Sequence, residues 1–216
     1  MEAKQVQNIF TVLIALSFFC SCVESSMKVD APDAQALSSG GKAPSFDAPK
    51  EYKTQCGKTI IISETHPVGQ SLSKIEIRTK DFENNYLETY EDKDPISDVF
   101  LADLDGNGFD EIYIITTSAG SGSYGKILGF SSNKDKSLSM INFPEIQKGD
   151  IIFKGYMGHD TFKIEDQKLV RTFPKYNEGN TNQNPNGGTQ KLIYGLSPGE
   201  AMWQLKIEKS ETLNNP

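Results

Sequence analysis

The sequence predicts an all-β domain: a single antiparallel β-sandwich or barrel-like unit on a disordered N-terminal tether. Three observations predict it. Short β-branched or alternating runs recur from about residue 51, separated by turn residues. No convincing helix of ten residues or more appears. The composition is 37% hydrophobic and rich in Gly, Asn, Ser and Thr, which suits a β-rich globular domain with long loops.

The strand-like runs are KTIIIS (58–63), SKIEIRT (73–79), ISDVFLADL (96–104), DEIYIITT (110–117) and GKILGFS (125–131). DTFKIEDQKLVRTF (160–173) reads as a hairpin turning at Asp166-Gln167. KLIYGL (191–196) and AMWQLKIE (201–208) supply two final strands joined by Ser-Pro-Gly. Alternation in SKIEIRT puts Ile75 and Ile77 on one face and Lys74, Glu76 and Arg78 on the other. Trp203 and Leu205 alternate with Gln204 and Lys206 in the same way. Such strands bury one face, so a second sheet or barrel closure must complete the core. No internal repeat of fixed period is present.

The N-terminus reads differently. Lys4 lies in a short polar start, and residues 9–19 form an apolar run of 11 residues. A bilayer span needs about 20, so this run fits a secretory signal. Two cysteines close it. Cys22 follows the small Ser21 and is the expected site of lipid attachment, with Cys20 as the alternative. The stretch resembles a bacterial lipoprotein signal; the plainer reading is an ordinary cleaved signal. The expected organisation is a signal peptide over 1–21, a tether over 22–50 rich in Pro, Ser, Gly and Ala, a β domain over 51–210 and a tail over 211–216. It places the chain in the bacterial cell envelope, in the periplasm or held at the outer membrane by its lipid.

The formal net charge is -7, which argues against a nucleic-acid partner and is compatible with a cationic protein. Loss of 1–21 removes one Lys and one Glu and leaves that charge unchanged. Cys56 is then the one thiol in the domain, expected as a partly buried small apolar residue.

Asp103-Leu-Asp105-Gly-Asn107-Gly-Phe-Asp110-Glu111 has oxygen side chains at positions 1, 3 and 5 and Gly at 4 and 6. This resembles a Ca²⁺ loop, with Asp103, Asp105, Asn107 and Glu111 as candidate ligands. Position 12 is Ile114, so an EF-hand's bidentate Glu is missing. The alternative is a hairpin turn in which Asp and Asn bond their own backbone.

Gly120-Ser-Gly-Ser-Tyr-Gly125-Lys126 nearly matches a phosphate-binding loop. Ile127 stands where a hydroxyl should reach Mg²⁺, and a strand-like segment follows where a helix should begin. Nucleotide binding is therefore not expected. The two histidines, His66 and His159, carry neither a triad motif nor zinc spacing. Acidic residues are plentiful, but nothing selects a glycosidase-like pair. The chain is not expected to be an enzyme.

The same glycine-rich stretch has a second reading. A solvent-exposed tip gains nothing from a Tyr flanked by Gly and Ser. A recognition loop does, because Tyr gives large contact area at small entropic cost and Ser and Gly allow close approach.

SAGSGSYG, set between DLDGNGFDEIYIITT and KILGFSSNKDKS, resembles the signature of the periplasmic inhibitors of invertebrate-type lysozyme. The likeness continues in GHDTFKIEDQKLVRTFPKY, NPNGGTQKLIYGL and SPGEAMWQL, and covers about residues 55–208. It implies an antiparallel β-sandwich, often a homodimer, whose SGxxY loop plugs the lysozyme cleft. Carried onto this chain, Ser121 and Tyr124 insert, while Gly120, Gly122, Ser123 and Gly125 shape the loop. Members of that family are soluble periplasmic proteins, so the expected lipid anchor and tether are departures. The alternative function is a surface-tethered Ca²⁺-binding β-module for adhesion or scaffolding.

Overall fold

The computed structural model describes residues 45–147, 149–179 and 184–214. The expected signal peptide, the expected lipid-attachment site Cys22 and the expected tether up to residue 44 lie outside them. The strands are β1 (Ser45–Phe46), β2 (Lys50–Lys53), β3 (Thr59–His66), β4 (Ser73–Lys80), β5 (Leu87–Lys93), β6 (Ile96–Ala102) and β7 (Glu111–Thr117). They continue with β8 (Gly125–Ser132), β9 (Leu138–Asn142), β10 (Thr161–Glu165), β11 (Lys168–Pro174), β12 (Thr189–Pro198) and β13 (Trp203–Leu213). One 3₁₀ turn, Ile151–Phe153, lies between β9 and β10. Among the described residues no helix is long and apolar enough to cross a membrane.

The fold is all-β, in two sheets. In the five-stranded sheet the order is β1-β3-β4-β5, with β2 also on β3. Strand pairing thus starts at Ser45, ahead of the expected domain start at 51, and β13 runs on to Leu213. The eight-stranded sheet has the order β10-β11-β12-β13-β9-β8-β7-β6. Its pairs are antiparallel except β13–β9, where Trp203 and Gln204 face Ile141 and Asn142 in parallel. That parallel contact is possible because β9 and β13 are not joined directly: β10, β11 and β12 intervene, a connection long enough for the chain to return in the same direction.

The hairpin read from DTFKIEDQKLVRTF is present. Glu165 pairs with Lys168, and Asp166 and Gln167 both take positive φ (48° and 54°), as a type I′ turn requires. Ile75 and Ile77 are fully buried, while Arg78 on the opposite face is exposed.

Two cores result. Ile60, Ile62, Ile75 and Ile77 of the five-stranded sheet pack on Ile112, Ile114, Leu128 and Phe130 of β7 and β8. Tyr113 points the other way and joins Leu169, Phe173, Leu192, Tyr194 and Leu205 from β11–β13. The eight-stranded sheet therefore curls over the second core, and the five-stranded sheet covers the outer face of its β7–β8 region. Each isoleucine so buried contributes about 1.5–3 kcal/mol over an exposed one. β7 is buried from Glu111 to Thr116, on both faces. Its two ends carry the two loops that matter here.

Candidate functional site

Residues 118–124 join β7 to β8. The Ser118 N–H donates to the Tyr124 carbonyl at 2.9 Å, and the Tyr124 N–H to Ser118 Oγ at 2.8 Å. The Ser123 N–H closes an inner turn onto the Gly120 carbonyl at 3.0 Å, with Ser123 at φ 45°. Ser121 is exposed and Tyr124 is 44% exposed. Among the described residues neither hydroxyl makes a hydrogen bond.

The backbone of the loop is held from below by residues 155–160. The His159 N–H donates to the Gly122 carbonyl at 2.6 Å. His159 takes φ 59° to do so, and its Nε2 is buried without a partner. A Cβ on Gly122 would sit 2.4 Å from the Tyr124 ring, so only glycine lets that ring fold against the loop. A Cβ on Gly125 would meet the Phe162 ring at 2.5 Å. The Tyr124 ring stands edge-on to Tyr156, with centroids 5.6 Å apart, a favoured aromatic geometry.

The base of this platform is a buried ion pair. Asp160 Oδ1 accepts from Arg171 Nε at 2.7 Å, and the side chains are 0% and 1% exposed. Asp160 Oδ2 accepts from the Gly125 N–H at 2.8 Å and the Tyr156 hydroxyl at 2.5 Å. Arg171 Nη2 donates to Tyr156 Oη at 2.8 Å. The guanidinium carbon lies 5.2–5.7 Å from the ring centroids of Phe143, Phe153, Tyr156, Phe162 and Phe173. Burial and then its bond to Asp160 push the Tyr156 hydroxyl's pKa upward, so it stays a donor. Sequence reasoning missed this cluster. The available signal was β11 itself, where Arg171 falls between Leu169 and Phe173 on an inward face.

The other end of β7 carries the second candidate site. Asp103, Asp105 and Glu111 each place a carboxylate oxygen within 4.8 Å of the other two. Asp103 also accepts from the Asn107 N–H (3.0 Å) and the Gly108 N–H (2.8 Å). The Asn107 side chain donates to Asp105 Oδ2 at 2.9 Å and accepts from the Phe109 N–H at 2.8 Å. So the hairpin turn expected at this point exists, and the carboxylates converge within it. Glu111 is 0% exposed; its Oε2 accepts from the Leu104 N–H at 2.8 Å, while Oε1 has no partner. Burial, followed by the charges of Asp105 and Asp103, pushes the Glu111 pKa up to about 8.

Cys56 differs from expectation: it is exposed rather than partly buried. It lies in the β2–β3 turn, and its Sγ donates to the Gly108 carbonyl at 3.4 Å. Asn184–Gly188, quoted in the family likeness, folds onto the end of β11: the Gly187 N–H donates to the Lys175 carbonyl and the Lys175 N–H to the Gly188 carbonyl. The segment after Lys126 is the strand β8, so no helix end faces the glycine loop.

One constellation was not foreseen. Ser73 Oγ lies 3.1 Å from His66 Nδ1, and His66 Nε2 lies 3.9 Å from Asp47 and from Glu64. Ser73 is 1% exposed and cannot meet a substrate, and 3.9 Å is too long for an orienting hydrogen bond. Glu64 instead accepts the Ile96 N–H at 2.9 Å, which ties the two sheets together.

No family model, curated protein or solved structure matches this chain.

Proposed function

We propose that this chain inhibits lysozyme, with the invertebrate type as preferred target, by inserting Ser121 and Tyr124 into the enzyme's cleft. One observation carries the reading. Two hydroxyls without a hydrogen-bond partner among the described residues stand on a loop whose backbone is fixed by hydrogen bonds and by Gly122 and Gly125, where a Cβ would clash. A loop already ordered before contact loses less entropy on binding. The sequence likeness to invertebrate-type lysozyme inhibitors supports the same residues.

Lysozymes cleave glycan with a pair of carboxyl groups, one kept protonated as the acid. A Ser and a Tyr hydroxyl both donate and accept, so together they satisfy the protonated and the ionised carboxyl. Neither offers a glycosidic bond, and the block persists without turnover. The Tyr124 ring occupies the volume of a sugar. The chain acts here as a binding protein, not an enzyme, in the bacterial envelope, held to the membrane through lipid on Cys22 and working as a homodimer.

The test is a turbidity assay. Invertebrate-type, chicken-type and goose-type lysozymes each lyse cell walls with and without the protein lacking residues 1–22. Suppression of the invertebrate type is the expected result. Undiminished lysis by all three would end the reading.

A further inference from the structure

We propose that the β6–β7 turn is a Ca²⁺ site, with Asp103, Asp105 and Glu111 as its carboxylate ligands. The inference does not depend on the inhibitor reading, because the site lies at the opposite end of β7 from the Ser121–Tyr124 loop. Six strand residues, 112–117, lie between Glu111 and the start of that loop, about 20 Å.

The convergence of three carboxylates is the first observation. Two oxygens bound to one Ca²⁺ at 2.3–2.6 Å stand at most about 5 Å apart. Asp103, Asp105 and Glu111 bring oxygens within 4.8 Å of one another, inside that limit. Acidic turns often do this with no ion, so the convergence alone decides nothing.

The second observation is Glu111. It is completely buried, and its Oε1 has no hydrogen-bond donor. A buried polar atom without a partner is uncommon, and a buried carboxylate oxygen without one is costly. Among the described residues no Lys or Arg pairs with Asp103, Asp105 or Glu111. The turn thus concentrates negative charge, leaves one buried oxygen unsatisfied, and supplies no cation of its own. A divalent cation answers all three.

The donors choose the ion. They are hard carboxylate oxygens with no imidazole or thiolate, which disfavours zinc. Mg²⁺ demands a tighter octahedron at 2.0–2.1 Å, whereas Ca²⁺ accepts irregular oxygen sets. Asn107 is not among the ligands proposed, since its side chain already serves Asp105 and Phe109.

The turn also joins the two sheets. The Gln55 N–H donates to Asp110 Oδ2 at 2.5 Å, and the Cys56 thiol to the Gly108 carbonyl. An ion that fixes residues 103–111 fixes this junction between the β2–β3 turn and the β6–β7 turn. Its role is structural.

The experiment uses the full chain, stripped with chelator and dialysed, then titrated with CaCl₂ or MgCl₂ while Tm is followed. Tb³⁺ luminescence excited through tyrosine gives a second readout, because the Tyr113 hydroxyl lies 3.5 Å from Glu111 Oε2. At Ca²⁺ about 100-fold above its Kd, Tm should rise by about 5–10 °C, with a smaller rise for Mg²⁺. Asp105→Asn should weaken Ca²⁺ at least 10-fold. Glu111→Gln should abolish the Ca²⁺ rise and still fold in chelator, since it keeps the side chain's size and an oxygen to accept from the Leu104 N–H. If either variant fails to fold, the other carries the test. No Tm rise and no Tb³⁺ signal for the unaltered chain would overturn the site. So would an equal rise in the variants, or an equal rise with Mg²⁺.

Discussion

Gly158 lies directly beneath Gly122: a Cβ on Gly158 would stand 1.9 Å from the Gly122 carbonyl oxygen. Gly158 also takes φ 89°, in the region that disfavours side chains. The loop carrying Ser121 and Tyr124 therefore rests on backbone, with no side chain between. Gly158→Ala should destabilise the domain by about 2–4 kcal/mol, through positive φ and a backbone clash together. Gly120→Ala is the control: nothing lies within 4 Å of its Cβ, and its φ is not positive. It should change stability by less than about 0.5 kcal/mol. Urea unfolding of both variants measures the contrast.

Arg171 and Asp160 should behave as a coupled unit. Arg171→Met leaves Asp160 buried with its charge uncompensated, and should cost about 3–5 kcal/mol. Asp160→Asn strands Arg171 among five rings and should cost a similar amount. The double variant should lose clearly less than the sum of the two, by at least about 1 kcal/mol. A double-mutant cycle in urea measures this coupling; strict additivity would show that the pair is not the unit described.

Stability without added metal should depend on pH through Glu111. Its pKa is raised from the ordinary 4.5 to about 8 by burial and then by its acidic neighbours. The folded state thus holds the proton more tightly than the unfolded chain does. The stabilisation is complete below pH 4.5 and declines as pH rises, and it is gone above about pH 8. In chelator, Tm should fall across that window, and Glu111→Gln should flatten the slope. A parallel slope in the variant would assign the pH dependence to other groups.

Charge should act on the rate of encounter. At a net charge of -7 the chain should attract a basic lysozyme at long range, if lysozyme is its target as proposed. Added salt should slow association and leave dissociation largely unchanged. Stopped-flow association rates that stay flat from low to high ionic strength would remove steering from the account.

Much of the fold could be read from periodicity. Ile75 and Ile77 alternate with polar neighbours, and Asp166-Gln167 sits between two alternating runs, so β4 and the β10–β11 hairpin were visible in advance. β5 was not, because LETYEDK has no apolar face: it is an outer strand of the five-stranded sheet, with five of its seven residues exposed. β9 escaped because LSMIN is short, and only its hairpin with β8 is local; its other neighbour, β13, comes from about 60 residues further along the chain. The loop at 118–124 was legible from its composition. Its support was not, because Tyr156, Asp160 and Arg171 lie more than 30 residues beyond the loop and reach it only in the folded sheet, where Asp160 accepts from the Gly125 N–H. Cys56 misled for a related reason: a lone cysteine reads as a small apolar residue, yet its turn leaves it exposed.

Ser121 should contribute to inhibition, but less than Tyr124. Ser121→Ala removes one hydroxyl and should weaken inhibition by about 1–3 kcal/mol if it leaves a buried group of the enzyme unpaired. The variant should fold normally, since Ser121 is exposed and makes no hydrogen bond among the described residues. An inhibition titration alongside a melting curve separates the two effects.

The most direct test is Tyr124→Ala against an invertebrate-type lysozyme, with the inhibition constant measured beside the unaltered protein. Truncation of a central aromatic anchor costs about 2–4 kcal/mol, so inhibition should weaken by roughly 30- to 1,000-fold. Tm should move little, because the ring is 44% exposed. An inhibition constant within about threefold of the unaltered protein's would contradict the account.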